Sequence, residues 1–293
     1  MSDIVSYLFK TNAIKFCPEN KPFWLTSGKI APYFVNTQFL YGSEMEAQEF
    51  LNYITNELTL IEKGTNSILD LPKKIFDKVL NQYNTNEIYK NTINQLKEYI
   101  VNNIGIDNFE YISGGERRDW FFSNILSYLL KKPHITLFKN LTSEVSSYNF
   151  ENTKKVDSIN NAKVLHIADL ITTASSYPKS WIPGLKNIDG NMVYSLVVID
   201  RNQGGKQNLK DLGVESHSIV TIDKDIFQKA LDFGIISDEQ LQMLLKFFDN
   251  PDDTMREFLK NHPEFIEESL QSTNERTLKR VHQMIDGNLY GLN

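Results

Sequence analysis

One stretch of the chain carries more chemistry than any other: Val164-Leu165-His166-Ile167-Ala168-Asp169-Leu170-Ile171-Thr172-Thr173-Ala174-Ser175-Ser176. An apolar run ends near a carboxylate, and a hydroxyl-rich turn leads on toward a helix. Ligands of open α/β sheets bind at such carboxyl ends of strands. Successive backbone N–H groups in the turn can cradle a phosphate, helped by the start of the next helix. Thr172, Thr173, Ser175 and Ser176 add hydroxyls. Asp169 can accept from sugar hydroxyls or hold Mg²⁺, which favours carboxylate and phosphate oxygens. An ordinary strand-to-helix turn would use the same residues, so this segment alone leaves both readings open.

Two further stretches offer ligand chemistry. Ser113-Gly114-Gly115-Glu116-Arg117-Arg118-Asp119 pairs glycines, which allow close backbone approach, with arginines suited to phosphate. It is neither a dinucleotide fingerprint nor a Walker loop, so kinase and dinucleotide readings fall away. Asp200-Arg201-Asn202-Gln203-Gly204-Gly205 puts a planar bidentate donor, Arg201, just after another apolar run.

The elements that must position these residues follow from periodicity. Strands are expected at Phe109–Ile112, Ile135–Phe138, Lys163–Ile167, Met192–Ile199 and Ser216–Ile222, alternating with helices, one of them short near Lys179–Ile182. That alternation implies a Rossmann-like, mostly parallel sheet covered by helices on both faces. Residues 1–40 mix short apolar runs with turn residues and read as a small N-terminal hood. Ser43-Glu44-Met45-Glu46 is a capping box opening a helix. Residues 61–105 read as a helical insertion, with Tyr89, Ile93, Leu96 and Ile100 forming one apolar stripe. Residues 140–161 lack a strong period and read as a long mobile loop. From 223 to 293 the pattern is helical, with a capping box at Ser237–Gln240, Asn250-Pro251 at a helix start and Gly287 as a stop. The expected division is therefore a domain of residues 1–222 and an extension of residues 223–293.

Composition narrows the classes. The chain has 293 residues, is 41% hydrophobic and carries a net charge of −6. An acidic balance disfavours phosphate-backbone binding to nucleic acid, while leaving room for a basic pocket. A single cysteine, Cys17, excludes an internal disulfide and reads as a small apolar filler. The five histidines are scattered, which argues against a structural zinc site. No segment reaches the ~20 apolar residues of a membrane span, and the first residues lack the pattern of a secretory signal. A cytoplasmic location is the expectation.

Taken in order, these motifs resemble the type I phosphoribosyltransferases, orotate phosphoribosyltransferase in particular, over roughly residues 10–222. Val164–Ser176 is similar to the family's phosphoribosyl-diphosphate (PRPP) signature, with Ala168 where the first of two acids is expected and Ala174 where a glycine is expected. Should position 174 need a positive φ, alanine there costs roughly 1–2 kcal/mol. Thr26-Ser27-Gly28-Lys29-Ile30-Ala31-Pro32-Tyr33-Phe34-Val35-Asn36 resembles the orotate-binding N-terminal segment, with Thr26 in place of a lysine. Ser113–Asp119 takes the place of the diphosphate loop, and Phe138–Val145 that of the catalytic loop, where only Lys139 survives and Thr142 and Glu144 replace a lysine and a histidine.

The resemblance implies transfer of ribose 5-phosphate from PRPP to orotate, with Mg²⁺, in a homodimer. It assigns Thr172, Thr173, Ser175 and Ser176 to the 5′-phosphate, Asp169 to the ribose and the metal, and Arg117 and Lys139 to the diphosphate. Phe34, Val35 and Arg201 are assigned to the base, and Asp169 and Lys139 are the catalytic pair. Lys154 and Lys155 are the later cations of the loop. The replaced residues leave two alternatives: a non-catalytic PRPP- or nucleotide-binding paralogue, and a transferase for another base.

Overall fold

A computed structural model describes residues 4–19 and 21–292. In chain order these form helix α1 (Ile4–Lys10), then strands β1 (Ile14–Phe16), β2 (Phe23–Trp24), β3 (Ile30–Ala31) and β4 (Tyr33–Val35). Helices α2 (Glu44–Glu62), α3 (Leu71–Thr85) and α4 (Glu87–Tyr99) follow, then strand β5 (Tyr111–Gly115) and helix α5 (Trp120–Leu130). Next are β6 (His134–Leu137), β7 (Ser143–Ser146), β8 (Thr153–Lys154) and β9 (Lys163–Ile171). Then come α6 (Ile182–Lys186), β10 (Asn191–Asp200), α7 (Gly205–Asp211) and β11 (Glu215–Thr221). Helices α8 (Lys224–Asp232), α9 (Asp238–Asp249), α10 (Pro251–Asn261), α11 (Pro263–Leu270) and α12 (Glu275–Asp286) complete the chain.

The chain divides into two units, one of residues 1–12 and 37–222 and one of residues 13–36 and 223–293. The first unit is built on a seven-stranded sheet in the order β11-β10-β9-β5-β6-β7-β8. The strands from β11 to β6 are mutually parallel, while β7 and β8 run antiparallel at the edge. This is the α/β architecture the alternating pattern implies. Strands β9 and β10 are buried along nearly their whole length, as expected of parallel strands covered on both faces. Two side-chain clusters mark the two faces. On one, His134 Nε2 lies 2.9 Å from Ser123 Oγ of α5; on the other, His166 packs against Tyr177 and Trp181, just before α6.

The local signals for the helices hold. The Ser43 hydroxyl accepts from the Glu46 amide, and Asn86 caps α4 through the amide of Tyr89. Tyr89, Ile93, Leu96 and Ile100 are all fully buried. Tyr89 donates from its hydroxyl to the Phe121 carbonyl, tying α4 to α5.

Three expectations change. Residues 140–161 contain an edge hairpin instead of an unstructured loop: Val145 pairs with Ile135 on β6 and with Lys154 on β8. Its strands are two and four residues long, too short to display a period. Strand β5 begins at Tyr111 and runs through Gly115, so the glycines belong to the strand and not to a following turn. Strand β9 continues to Ile171, with Leu170 opposite Ile199 and Ile171 opposite Asp200.

In the second unit, β1 pairs with β4 and β2 with β3, both antiparallel, beside helices α8–α12. Trp24 stacks on Phe265 with ring centroids 5.5 Å apart, the Ile30 amide donates to the Tyr290 hydroxyl at 2.9 Å, and the Gln240 amide donates to the Cys17 carbonyl at 2.8 Å. Most of the expected hood thus joins the C-terminal helices, while α1 belongs with the sheet. Local patterning does not encode a partnership between segments two hundred residues apart. The Ser237–Gln240 capping box is complete. Cys17 is buried, and burial pushes its thiol up to about 11, in keeping with an inert filler.

Gly114 marks the tightest approach in the first unit. A Cβ there would meet Ser123 Oγ at 2.1 Å and Ser123 Cβ at 2.7 Å. Gly114→Ala is therefore expected to destabilise the protein by about 1–3 kcal/mol, read as a lower denaturation midpoint in urea. An unchanged midpoint would show that α5 can lift from β5 freely.

Candidate active site

The five parallel strands are joined so that the chain steps one way from β5 to β6 and the other way from β9 to β10. Adjacent strands β5 and β9 therefore form the topological switch point, where an open α/β sheet leaves a crevice at its carboxyl end. A cavity of about 430 Å³ lies there. It is lined from the β5 side by Glu116, Arg117, Arg118 and Asp119, from the β9 side by Ala168–Thr172, Ala174 and Ser175–Tyr177, and by Leu51, Lys139 and Trp181.

Because β9 runs on to Ile171, the amides that leave the ladder are those of the turn beyond it, Thr172–Ser176, and not those directly after Asp169. Among the described residues, no hydrogen bond engages these five amides. The turn closes through the Tyr177 amide on the Ala174 carbonyl at 3.1 Å. Ala174 has φ +56°, so the position does take the left-handed conformation, at the roughly 1–2 kcal/mol an alanine costs there. The helical run Tyr177–Lys186 starts immediately afterwards, adding its N-terminal dipole to the same opening. Phosphate-sized anions suit such a cup of free amides.

Asp169 stands at its rim, 8% exposed. Oδ1 accepts from the Leu170 amide at 2.7 Å, while Oδ2 is buried with no partner among the described residues. Burial above all, and then the charge of Asp119, raise its carboxyl above the ordinary value of 3.8, against the pull of Arg118 and the Leu170 amide. Asp119 bridges the two strands: Oδ1 accepts from the Asp169 amide at 2.9 Å and Oδ2 from the Gly115 amide at 3.0 Å. Gly115 leaves the room for this, since a Cβ there would meet Trp181 at 2.4 Å and Asp119 Oδ2 at 2.8 Å. Behind Asp119, His166 Nε2 lies at 3.5 Å and its Nδ1 is 2.9 Å from Ser113 Oγ.

The residues singled out in the sequence are only partly brought together. Asp169, Thr172, Ser175, Ser176, Arg117 and Lys139 all line the cavity. Thr173 does not, and its carbonyl accepts from the Asn208 side chain at 3.0 Å. Arg117 directs its guanidinium to the Thr55 hydroxyl on α2. Arg118, paired with Arg117 in the sequence reading but given no role of its own there, is the arginine whose field reaches Asp169. Asp119 was likewise missed, although an acid four residues after a strand-ending glycine is a recognisable clasp. The backbone of Lys139 is held by its amide on Glu116 Oε2 at 3.2 Å. Glu144 and Thr142 lie outside the lining. Glu144 is buried on β7 with neither carboxylate oxygen partnered among the described residues, and burial raises its pKa against the pull of Lys155. Arg201 sits just past β10, its amide on the Ile171 carbonyl at 2.9 Å, and does not line the cavity. Phe34 and Val35 lie on β4 in the second unit, Phe34 edge-to-face with Phe23 at 4.7 Å and Val35 opposite Ile14.

Among the described residues, no group of three or more His, Cys, Asp or Glu side chains could hold a metal by itself. Asp169 Oδ2 fits a different arrangement: Mg²⁺ commonly takes one or two protein carboxylates and completes its shell with substrate phosphates and water. No helix among the described residues is long and apolar enough to cross a membrane.

The raised carboxyl has a stability signature. The folded state holds the Asp169 proton more tightly than the unfolded chain does, so the group's contribution is fully present below its ordinary value and is lost as pH rises through the raised one. Asp169→Asn is expected to raise the melting temperature near pH ~8 and to lose that gain toward pH ~4. Equal gains at both ends would contradict the assignment.

No family model matches the chain. An orotate phosphoribosyltransferase of Sulfurisphaera tokodaii is 28% identical over 152 residues, covering 52% of this chain and 72% of that protein. That of Methanosphaera stadtmanae is 27% identical over 132 residues, covering 45% of this chain and 70% of that one. Among solved structures, orotate phosphoribosyltransferase from Aeropyrum pernix superposes with a TM-score of 0.49 at 18% identity, over 77% of this chain and 98% of that one. The chain is thus similar to orotate phosphoribosyltransferases over about half of its length, and its mostly parallel sheet with a crevice at the switch point is consistent with the α/β fold of the type I phosphoribosyltransferases.

Proposed function

We propose that the protein is a phosphoribosyltransferase that moves ribose 5-phosphate from PRPP to a nucleobase, with orotate as the acceptor, and releases diphosphate. One observation supports this reading: Thr172, Ala174, Ser175 and Ser176, whose amides have no hydrogen bond among the described residues, line the same cavity as Asp169, Arg118 and Lys139. The amides and the hydroxyls of Thr172, Ser175 and Ser176 hold the 5′-phosphate. Asp169 accepts from the ribose through the oxygen that has no partner among the described residues. Displacement at the anomeric carbon develops positive charge on the sugar and negative charge on the leaving diphosphate. Arg118 and Lys139, with Arg117 at the rim, neutralise the leaving group by pre-set electrostatics. Mg²⁺ bound with the diphosphate and held by Asp169 would supply further neutralisation. Arg201, Phe34 and Val35 are the proposed base contacts. By the same resemblance the protein works as a homodimer.

A second reading has one observation in its favour. The segment that would carry the loop cations is paired into the sheet edge, with Glu144 buried on it and Lys139 the one cation of that segment in the cavity lining. A protein so built could bind PRPP or a nucleotide without turnover.

The two readings separate in one assay. With PRPP, Mg²⁺ and orotate, loss of orotate absorbance is expected, and Asp169→Asn is expected to lower the rate by on the order of 10²-fold or more. Calorimetric binding of PRPP with no turnover would establish the binding-protein reading, and turnover with another base alone would remove orotate. Absence of PRPP binding would overturn both.

A further inference from the structure

The crevice at the switch point receives one carboxylate from β9 and one from the turn that leads from β5 into α5. Residues 166 and 168 point to the same face of β9, because side chains alternate along a strand. At position 168 that face carries only the methyl group of Ala168, which lines the cavity. The carboxylate of Asp119 lies on this side: Oδ2 is 3.5 Å from His166 Nε2, and Oδ1 accepts from the amide of the residue following Ala168. It is 6% exposed and lines the cavity. Its two amide bonds leave each oxygen a further lone pair, so accepting from a ligand remains open to it.

We propose that Asp119 supplies the second ligand-facing carboxylate of the crevice, occupying from the β5 side the place that Ala168 leaves without one. The acid pair is thus split across the switch point, with Asp169 on β9 and Asp119 on the turn into α5. Its ligand is the hydroxyl-bearing sugar of the phosphorylated substrate, so the inference rests on the PRPP reading above. The clasp on the Gly115 and Asp169 amides fixes the second carboxylate without a side chain at position 168. His166, itself positioned by Ser113, backs it from the core.

The probes are inorganic phosphate alone, which reports the amide cup, and PRPP with Mg²⁺, which also reports the sugar contacts. Asp119→Ala is expected to weaken PRPP binding by on the order of tenfold or more, the size of a charged hydrogen bond, while leaving phosphate affinity unchanged. The double variant Ala168→Asp/Asp119→Ala, which returns the carboxylate to β9, is expected to recover most of the loss. Should Asp119→Ala fold poorly, Asp119→Asn keeps an acceptor for one amide and is expected to show the same selective loss. PRPP binding as in the wild type in these variants would overturn the proposal. So would a parallel loss of phosphate and PRPP with no recovery in the double variant, which is the mark of a purely structural clasp. If wild-type protein bound phosphate but not PRPP, the transferase reading would fall and this inference with it, a result distinct from either variant outcome.

Discussion

The structure turns on a divergence between two neighbouring strands. β5 and β9 lie side by side, yet the chain leaves them toward opposite faces of the sheet, so no backbone continues across the gap between their ends. A sheet cannot satisfy the backbone groups at such a point by itself. Here the Asp119 carboxylate takes the Gly115 and Asp169 amides, which holds the two strand ends together, while the amides of Thr172–Ser176 stay open. The crevice and the spacing of its acids follow from the clasp, and the affinity for anions from the open amides.

The same arrangement opposes stability. Asp169 is kept almost out of water beside another carboxylate, with one oxygen unpartnered, and Ala174 is held in a conformation that favours glycine. Neither feature helps the fold. Both make sense where a ligand completes the hydrogen bonds, since strain and unsatisfied polar groups collect at functional sites. The rest of the first unit compensates with an ordinary apolar core. Trp120, Phe121 and Ile125 are fully buried on α5, and Ile167, Val197 and Val198 within β9 and β10.

Much of this was legible in the sequence because it depends on local rules. Apolar runs ending near Asp169 and Asp200 announce parallel strands, and the capping residues Ser43 and Ser237 mark helix starts that the structure keeps. What local rules do not reach was missed. The ends of β5 and β9 were placed early, because glycines and polar residues inside a strand look like turns until a neighbouring strand pairs with them. The hairpin β7–β8 is too short to show alternation. The choice between Arg117 and Arg118 depends on backbone direction after Gly115, which spacing cannot supply. The association of residues 13–36 with 223–293 is a long-range event that no window of sequence contains.

The most direct test of the central claim is a titration with inorganic phosphate followed by backbone amide resonances. The amides of Thr172–Ser176 are expected to shift together and to saturate, as free donors closing on an anion do. Saturable phosphate binding that moves other amides and leaves these five in place would contradict the account.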